Sequence, residues 1–156
     1  MTPPDSDHSA IAKAIVDANV YMTLGTADAD GRPWASPVYF AESKYEHYYW
    51  ISSPDARHSR NIAVRPEISI VIFDSRVAPG TGQAVYIEAT AAQLADDDVE
   101  AGLAFYPGGP ERGARTIAAE ELRPPGPYRL YRATAEQHWI LAPGASPDQR
   151  TPVSPG

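Results

Sequence analysis

The sequence contains no cysteine and only two lysines among its 156 residues. The absence of cysteine excludes thiol catalysis, disulfide cross-links, iron–sulfur clusters and cysteine-ligated zinc. No stretch approaches the roughly 18 uninterrupted apolar residues that a membrane-spanning helix needs. The polar, acidic N-terminus lacks the positive and apolar regions of a signal peptide. These absences predict a cytoplasmic protein with no membrane partner.

Positive charge is also scarce. Thirteen Lys and Arg stand against 20 Asp and Glu, which gives a formal net charge of −7 at pH 7. Binding to the phosphate backbone of a nucleic acid normally requires a clustered positive surface. The charge balance therefore predicts that the protein has no nucleic-acid partner.

Metal-binding patterns are missing as well. The segment Asp28-Ala-Asp-Gly31 resembles the start of a calcium loop, but Tyr39 stands at the twelfth position, where a bidentate glutamate is expected. The histidines show no ligand spacing of the HExxH kind, which zinc sites use; they are His8, His47, His58 and His138. The sequence therefore predicts no metal site.

The length and composition indicate one globular domain, since 43% of the residues are hydrophobic and a domain typically spans about 100–200 residues. Residues 143–156 contain four prolines and little to bury, so we predict a disordered tail there. We also predict a disordered flank over residues 1–8, which leaves a folded domain over residues 9–142.

Hydrophobic patterning predicts a mainly β fold. The predicted helices cover residues 9–18, 54–64, 96–105 and 113–121, and the predicted strands cover 20–26, 33–41, 47–52, 67–74, 83–93 and 128–141. Because short turns join most of these strands, the sheet should be mainly antiparallel. We predict a six- to seven-stranded split β-barrel with a few flanking helices.

The most informative segment is 57–65, which carries three arginines and no acidic residue. Arg57 and Arg60 are three positions apart and share one helix face. They follow Ser53, which is predicted to cap a helix whose free N–H groups favour anions. Guanidinium groups suit phosphate oxygens. This pattern predicts a phosphate clamp made by Ser53, Arg57 and His58, with Arg60 nearby.

Each of these features also has a structural interpretation. The arginines could form a solvated helix face that pairs with Asp55 or Glu67. Gln83, at the start of a strand, offers the donor and acceptor that the polar edge of a flavin or nucleobase needs, but it could equally be an ordinary strand-end residue. The aromatic residues could stack on a ligand or could belong to the core and a dimer interface; they are Trp34, Tyr48, Tyr49, Trp50 and Trp139.

Several short fragments occur together in one order. They are Leu24-Gly-Thr26, Asp30-Gly-Arg-Pro33, Ala35-Ser-Pro-Val38, Trp50-Ile-Ser-Ser53, Arg57-His-Ser-Arg-Asn61, Arg65-Pro66 and Gly82-Gln-Ala-Val85. This order resembles the pyridoxamine 5′-phosphate oxidase-like family, the FMN-binding split barrels, over about residues 10–93. The resemblance implies a homodimer with two FMN sites at the subunit interface and a small-molecule substrate.

The resemblance also implies which residues surround FMN. One strand runs along the flavin, the end of another contacts the ring and ribityl chain, and a glutamine and an aromatic residue reach the ring, the glutamine from the partner chain. The cofactor site predicted in this way comprises Trp34, Ala35, Ser36, Pro37, Val38, Trp50, Ile51, Ser52, Ser53, Arg57, His58, Arg60, Gln83 and Trp139. The family's oxidases usually have lysine where this chain has His58, whose charge depends on pH.

The oxidases proper carry a C-terminal Arg-x-His segment that grips the substrate phosphate, and residues 137–142 of this chain lack it. We therefore expect a flavin-dependent oxidoreductase that acts on another small molecule. No side chain is an evident acid or base, and Tyr21, Tyr39, Tyr86 and His47 are only candidates.

Two alternatives remain open at this stage. The 11 arginines and two lysines suggest a GC-rich genome, where users of the deazaflavin F420 are common, so F420 could replace FMN. The chain could also be a non-catalytic carrier or sensor of flavin or haem, with His47, His58 or His138 as an axial haem ligand.

Overall fold

The computed structural model describes residues 4–141 and 149–156, and these residues form one mainly β fold. The helices are α1 (Pro4–Ala18), α2 (Arg57–Val64) and α3 (Val99–Leu103). The strands are β1 (Tyr21–Ala27), β2 (Pro33–Tyr39), β3 (Ala41–Ser43), β4 (His47–Ser52), β5 (Glu67–Phe73), β6 (Ala84–Gln93), β7 (Arg129–Ile140) and β8 (Thr151–Val153). None of the described helices is long and apolar enough to cross a bilayer.

All strand pairs in the described chain are antiparallel. The strand order is β2-β1-β5-β6-β7-β4-β3, and β8 pairs with the C-terminal end of β7. The sheet curls into a half-barrel, so the predicted antiparallel split-barrel fold is confirmed. The sheet does not close, because β3 pairs with β4 from Ala41 to Ser43 while β2 pairs only with β1. A gap therefore opens between β2 and the end of β4, and we call it the split cleft.

Apolar side chains fill the inside of the half-barrel, where α1 and α2 cover its ends. The largest of them is Trp50, which is fully buried and stacks on Tyr131 with ring centroids 5.6 Å apart. Residues such as Leu24, Ile70 and Ile87 are also completely buried there. This core holds β2 and β4 in place on either side of the split cleft.

A second, smaller core lies on the outer side of the sheet. The segment 94–128 crosses β3, β4 and β7 there and buries Leu122 and Val99 against Tyr49 and Leu130. The segment also reaches Tyr39 at the end of β2, while the rest of the outer side, on β1, β2, β5 and β6, is not covered. We call it the open face; Tyr21 there is 63% exposed and Phe73 51% exposed.

The structure corrects the predicted disordered flanks where it describes them. Helix α1 begins at Pro4, five residues before the predicted start, so residues 4–8 are helical. In the tail, β8 pairs with β7 through Val153 and His138, and the Ser9 hydroxyl donates to the Ser154 carbonyl at 3.1 Å. A three-residue strand that depends on long-range pairing leaves no local pattern to find. Residues 142–148 of the predicted tail lie outside the described residues.

Three helix predictions also change. Helix α2 begins at Arg57, because Ser53 organises a turn: its hydroxyl accepts the Asp55 N–H at 3.1 Å and its carbonyl accepts the Ala56 N–H. The helix ends at Val64, as predicted from the following Arg65-Pro66 pair. The predicted helices 96–105 and 113–121 shrink to α3 and to 3₁₀ turns, which include Asp96–Asp98 and Ala119–Leu122.

Candidate functional site

Helix α2 places Arg57 against Trp34 of β2. Trp34 lies near the start of β2 and is 41% exposed, and the Arg57 guanidinium carbon lies 4.2 Å from the centre of the Trp34 ring. A guanidinium over an indole face is held by the ring's quadrupole while its N–H groups stay free for other partners. The contact therefore presents a cation between α2 and the start of β2.

The arginines of α2 do not pair with acids within the described residues. No carboxylate there lies within salt-bridge distance of Arg57 or Arg60, and both side chains are exposed. The alternative interpretation, a solvated face paired with Asp55 or Glu67, is not what the structure shows. Within the described residues, both arginines therefore lack a carboxylate partner although the chain carries a net charge of −7.

His58 faces the end of β4. Its Nε2 lies 2.7 Å from the Ser52 hydroxyl oxygen, and the pair is partly buried. Burial lowers the pKa of His58 below its usual value, so the ring is neutral near pH 7. A neutral imidazole next to a hydroxyl can take up a proton when an anion binds beside it. The protonated ring then carries a positive charge that attracts a phosphate.

The other residues of this segment fasten α2 to the sheet. The Ser59 hydroxyl donates to the Ser53 carbonyl at 2.7 Å, and the Asn61 amide donates to the Thr26 hydroxyl at 3.0 Å. Ser59, Asn61 and Thr26 are all buried. These bonds fix the start of the helix, so that Arg57 and His58 project toward the cleft while their neighbours point inward.

The N-terminus of α2 completes the set of donors. No side chain caps this eight-residue helix, whose N-cap residue is Ala56. Uncapped N–H groups and the positive end of the helix dipole favour an anion. Together with Arg57 and the Ser52–His58 pair, they form a cradle of the chemistry that a phosphate group requires.

Arg65, the last arginine of the segment, has a structural role. Its Nε donates to the Asp28 carbonyl at 2.8 Å, and one of its terminal nitrogens donates to the Ala29 carbonyl at 3.1 Å. It therefore ties the end of α2 to the turn between β1 and β2. This turn leads directly into the strand that carries Trp34.

Other predicted site residues lie away from the cleft or point away from it. Trp50 is completely buried and its indole N–H has no partner, so its side chain cannot contact a ligand and only its backbone could. Along β2 the side chains alternate, so Val38 is buried in the barrel and Ser36 partly so, while Ala35 and Pro37 are exposed on the open face. Of the predicted site residues along β2, only alternate side chains are therefore available to a ligand on the open face.

Gln83 and Trp139 are not brought to the cleft of their own chain. Gln83 lines a separate cavity of about 250 Å³ beside α1. Trp139 lies on the outer side of β7, where its indole N–H donates to the Glu88 carboxylate at 2.9 Å. Their predicted contacts with a cofactor therefore depend on a second copy of the chain.

Arg112 is a further residue beside the cleft that was not predicted from the sequence, and it lies at the end of the 3₁₀ turn Pro110–Arg112. It lies between the Tyr39 and Phe40 rings, with its guanidinium carbon 5.4 and 5.1 Å from their centres. Only the folding of segment 94–128 over β2 and β3 brings it there. No local pattern in the sequence indicates this contact.

The antiparallel half-barrel sheet, with α2 at one of its ends, defines the class of the split barrels. The chain matches the pyridoxamine 5′-phosphate oxidase family over residues 10–141. It belongs to that family, as the ordered fragments predicted.

Solved structures and a curated relative extend this comparison. The haem oxygenase HutZ from Vibrio cholerae is 40% identical over 53 residues, which cover 34% of this chain and 30% of HutZ. The HutZ structure superposes with a TM-score of 0.62 at 23% identity, over 82% of this chain and 89% of that chain. The aligned sequence therefore spans less than a third of this relative.

Two further structures share the fold at lower identity. A haem-binding protein from Mycobacterium smegmatis gives a TM-score of 0.71 at 19% identity and covers 99% of this chain but 60% of that chain. An FAD-binding protein from Mesorhizobium loti gives 0.63 at 18% identity and covers 85% and 90%. Proteins with this fold thus include both haem binders and flavin binders.

Proposed function

We propose that this chain binds FMN in the split cleft and acts as a flavin-dependent oxidoreductase on a small molecule. The observation that carries the proposal is the cradle at the start of α2: Arg57, held over Trp34 at 4.2 Å, and the Ser52–His58 pair at 2.7 Å, beside an uncapped helix N-terminus. A phosphate monoester satisfies all three donors at once.

The flavin, when bound, would supply the hydride and electron transfer, and the chain would bind and orient it. Arg57, His58 and the first turn of α2 would hold the phosphate, and Trp34 would flank the cofactor in the cleft. Because residues 137–142 lack the Arg-x-His segment, we do not propose pyridoxamine phosphate as the substrate.

Replacement of the clamp arginine tests this proposal. We expect Arg57→Ala to weaken FMN binding by about 1.5–3 kcal/mol, the contribution of a hydrogen bond to a charged group. Isothermal titration with FMN measures the loss. Arg76→Ala is the matched control, because Arg76 is exposed and paired with Asp74 in a different loop. Unchanged FMN affinity in Arg57→Ala would remove this residue from the site.

We further propose that the functional unit is a homodimer formed through the open face. Gln83 and Trp139 lie outside the cleft of their own chain, and the open face carries the exposed ring of Phe73. Exposed aromatic residues on a sheet are typical of protein interfaces. A second copy on this face would cover this ring and could bring Gln83 to the neighbouring cleft.

A charge on the open face tests the dimer. Phe73→Glu should convert a species of twice the 16.9 kDa chain mass into a monomer, because a carboxylate would be buried without a partner. Light scattering after gel filtration measures the mass. Val64→Glu is the control, since Val64 is 59% exposed on α2. A wild-type chain that elutes as a monomer contradicts the dimer.

Haem binding is the second candidate function, because two of the proteins with this fold are named as haem proteins. The structure narrows the choice of axial ligand. His138 is buried and its Nε2 lies 2.9 Å from the Tyr48 hydroxyl, while His58 contacts Ser52. His47 contacts Thr134 through Nδ1 at 3.3 Å, and its Nε2 lies 4.0 Å from the Glu46 carboxylate on a side chain that is 28% exposed. A haem Soret band lost in His47→Ala but kept in His138→Gln would favour this function over FMN.

F420 remains the third candidate for the same cleft. Its long polyglutamyl tail would need a basic channel that continues beyond Arg57 and Arg60, whereas Arg65 is occupied by the turn carbonyls. We therefore expect FMN to bind more tightly than F420. Parallel titrations with the two cofactors measure the difference, and tighter F420 binding would replace FMN in the proposal.

A further inference from the structure

A groove lies on the outer side of the sheet between the start of β1, the end of β2 and the segment 105–128, and Ile51 of β4 closes one end of it. Its volume is about 440 Å³, within the range of about 300–1,000 Å³ that small-molecule sites occupy. Four tyrosines and two arginines give it its chemical character: Tyr21, Tyr39, Tyr106, Tyr128, Arg112 and Arg115. We call it the tyrosine–arginine groove.

Arg112 is the main source of charge in this groove. Its Nε donates to the Tyr39 hydroxyl at 3.2 Å, and a terminal nitrogen donates to the Phe40 carbonyl and, at 3.4 Å, to the Asn19 carbonyl. All these partners are neutral. Over residues 4–141 and 149–156, no carboxylate lies within salt-bridge distance of Arg112. A half-buried guanidinium without an acidic partner is unusual and indicates an anionic ligand.

The other arginine of the groove differs in this respect. Arg115 forms a salt bridge with Glu121 at 3.1 Å. The charge of Arg115 is therefore already neutralised, although it lines the same groove. This contrast makes Arg115 a matched control for Arg112.

The tyrosines supply flat, uncharged walls. The Tyr106 ring lies edge-on to Tyr39 at 5.8 Å, and the Tyr21 ring does the same from the other side at 6.4 Å. Burial raises the pKa of Tyr106 to about 12, so its hydroxyl stays neutral. Tyr128 is 41% exposed and open to a ligand. None of the described residues that line the groove is acidic.

We propose that the tyrosine–arginine groove binds a planar aromatic carboxylate, with its carboxylate on Arg112 and its ring against the tyrosines. Aromatic rings pair favourably with tyrosine, and carboxylates match a guanidinium fork. The groove reaches Ile51, next to Ser52 of the split cleft. The role of this ligand as the substrate rests on the proposed function, but its binding does not.

The test uses 2-naphthoate and its neutral analogue 2-naphthalenemethanol, titrated calorimetrically into the full chain without added flavin. We expect 2-naphthoate to bind at least about tenfold more tightly, since a charged hydrogen bond distinguishes the two compounds. Arg112→Gln should remove this preference. Arg115→Gln should change the 2-naphthoate affinity by no more than about twofold, because Glu121 already neutralises Arg115.

Arg112 also anchors the backbone at Asn19 and Phe40, so a second variant is needed in case Arg112→Gln loses its fold. Tyr128→Ala leaves every described Arg112 contact in place and removes one wall. It should weaken both compounds by a similar factor and keep the preference for the carboxylate. A circular dichroism spectrum like that of the wild type confirms that each variant is folded.

Equal binding of the two compounds to the wild-type chain would overturn the proposal, and so would equal losses in Arg112→Gln and Arg115→Gln. The outcome is separable from that of the cofactor proposal. Binding of 2-naphthoate by a chain that fails to retain FMN would contradict only the flavin function. Retention of FMN without 2-naphthoate binding would contradict only the groove.

Discussion

At pH 4 the protein should be about 3 kcal/mol less stable to unfolding than at pH 7, because of His138. This residue is 6% exposed, and burial lowers its pKa to about 4. In the unfolded chain a histidine titrates near 6.5. Between these two values the unfolded state takes up a proton and the folded state does not. Stability is therefore complete above about pH 6.5 and falls as the pH drops toward 4.

Urea unfolding at pH 7, 5.5 and 4 measures this loss. The matched variant is His138→Gln, whose amide can still bond to the Tyr48 hydroxyl, 2.9 Å from Nε2 in the wild type, but does not titrate in this range. It should lose most of the pH dependence. His58→Gln is the control for the other histidine with a lowered pKa, and this variant should keep most of the pH dependence of stability. Equal pH dependence in the wild type and His138→Gln would contradict this account.

Variants of Trp50 and Trp34 should affect stability and FMN binding differently. Trp50→Ala should lower the free energy of unfolding by about 3–5 kcal/mol, because it leaves a large cavity in the barrel core and removes the stack on Tyr131. Trp34→Ala should cost no more than about 1 kcal/mol, since Trp34 is 41% exposed and loses only its contact with Arg57.

FMN affinity should depend more on Trp34 than on Trp50, the reverse of their effects on stability. Trp34→Ala should weaken FMN binding, because the ring that positions Arg57 and flanks the cleft is gone. The comparison for Trp50 uses the milder Trp50→Phe, which keeps an aromatic ring in the core and should retain most of the affinity. Denaturant unfolding and calorimetric titration on the same samples measure both quantities. A Trp34→Ala chain with wild-type FMN affinity would show that this ring is not part of the site.

Much of the fold and of the cradle was predictable because their signals are local. The turn residues between strands and the proline after Arg65 define the antiparallel order and the end of α2. Arg57 and Arg60 stand three positions apart in the sequence, so their common face follows from helical spacing. The start of α2 was misplaced by three residues, since Ser53 and Pro54 build a turn as readily as a helix cap.

The orientation of β4 could not be predicted. Tyr48, Trp50 and Ser52 face the barrel core, while Tyr49 and Ile51 face the segment 94–128 on the other side. Both sides of this strand are covered, so its central residues Tyr48–Ile51 are all aromatic or aliphatic and do not reveal which side chains point inward. The family resemblance places Trp50 among the cofactor residues, whereas the structure buries its side chain and leaves only its backbone available.

Long-range contacts account for the other omissions. Strand β8 and the position of Arg112 depend on pairing or packing with residues far along the chain: Val153 with His138, and Arg112 with Phe40. Such contacts leave no periodicity in the sequence. The cofactor contacts predicted for Gln83 and Trp139 depend on a second copy of the chain, so a single chain does not contain them.

Retention of FMN compared with riboflavin tests whether the cradle binds the cofactor through its phosphate. The full chain is mixed with each compound, passed through a desalting column and examined by absorbance. A phosphate cradle at Arg57, His58 and the start of α2 predicts that FMN elutes with the protein at about one molecule per chain. Riboflavin, which lacks the phosphate, should be left behind. A colourless protein after FMN, or equal retention of the two compounds, would contradict the account.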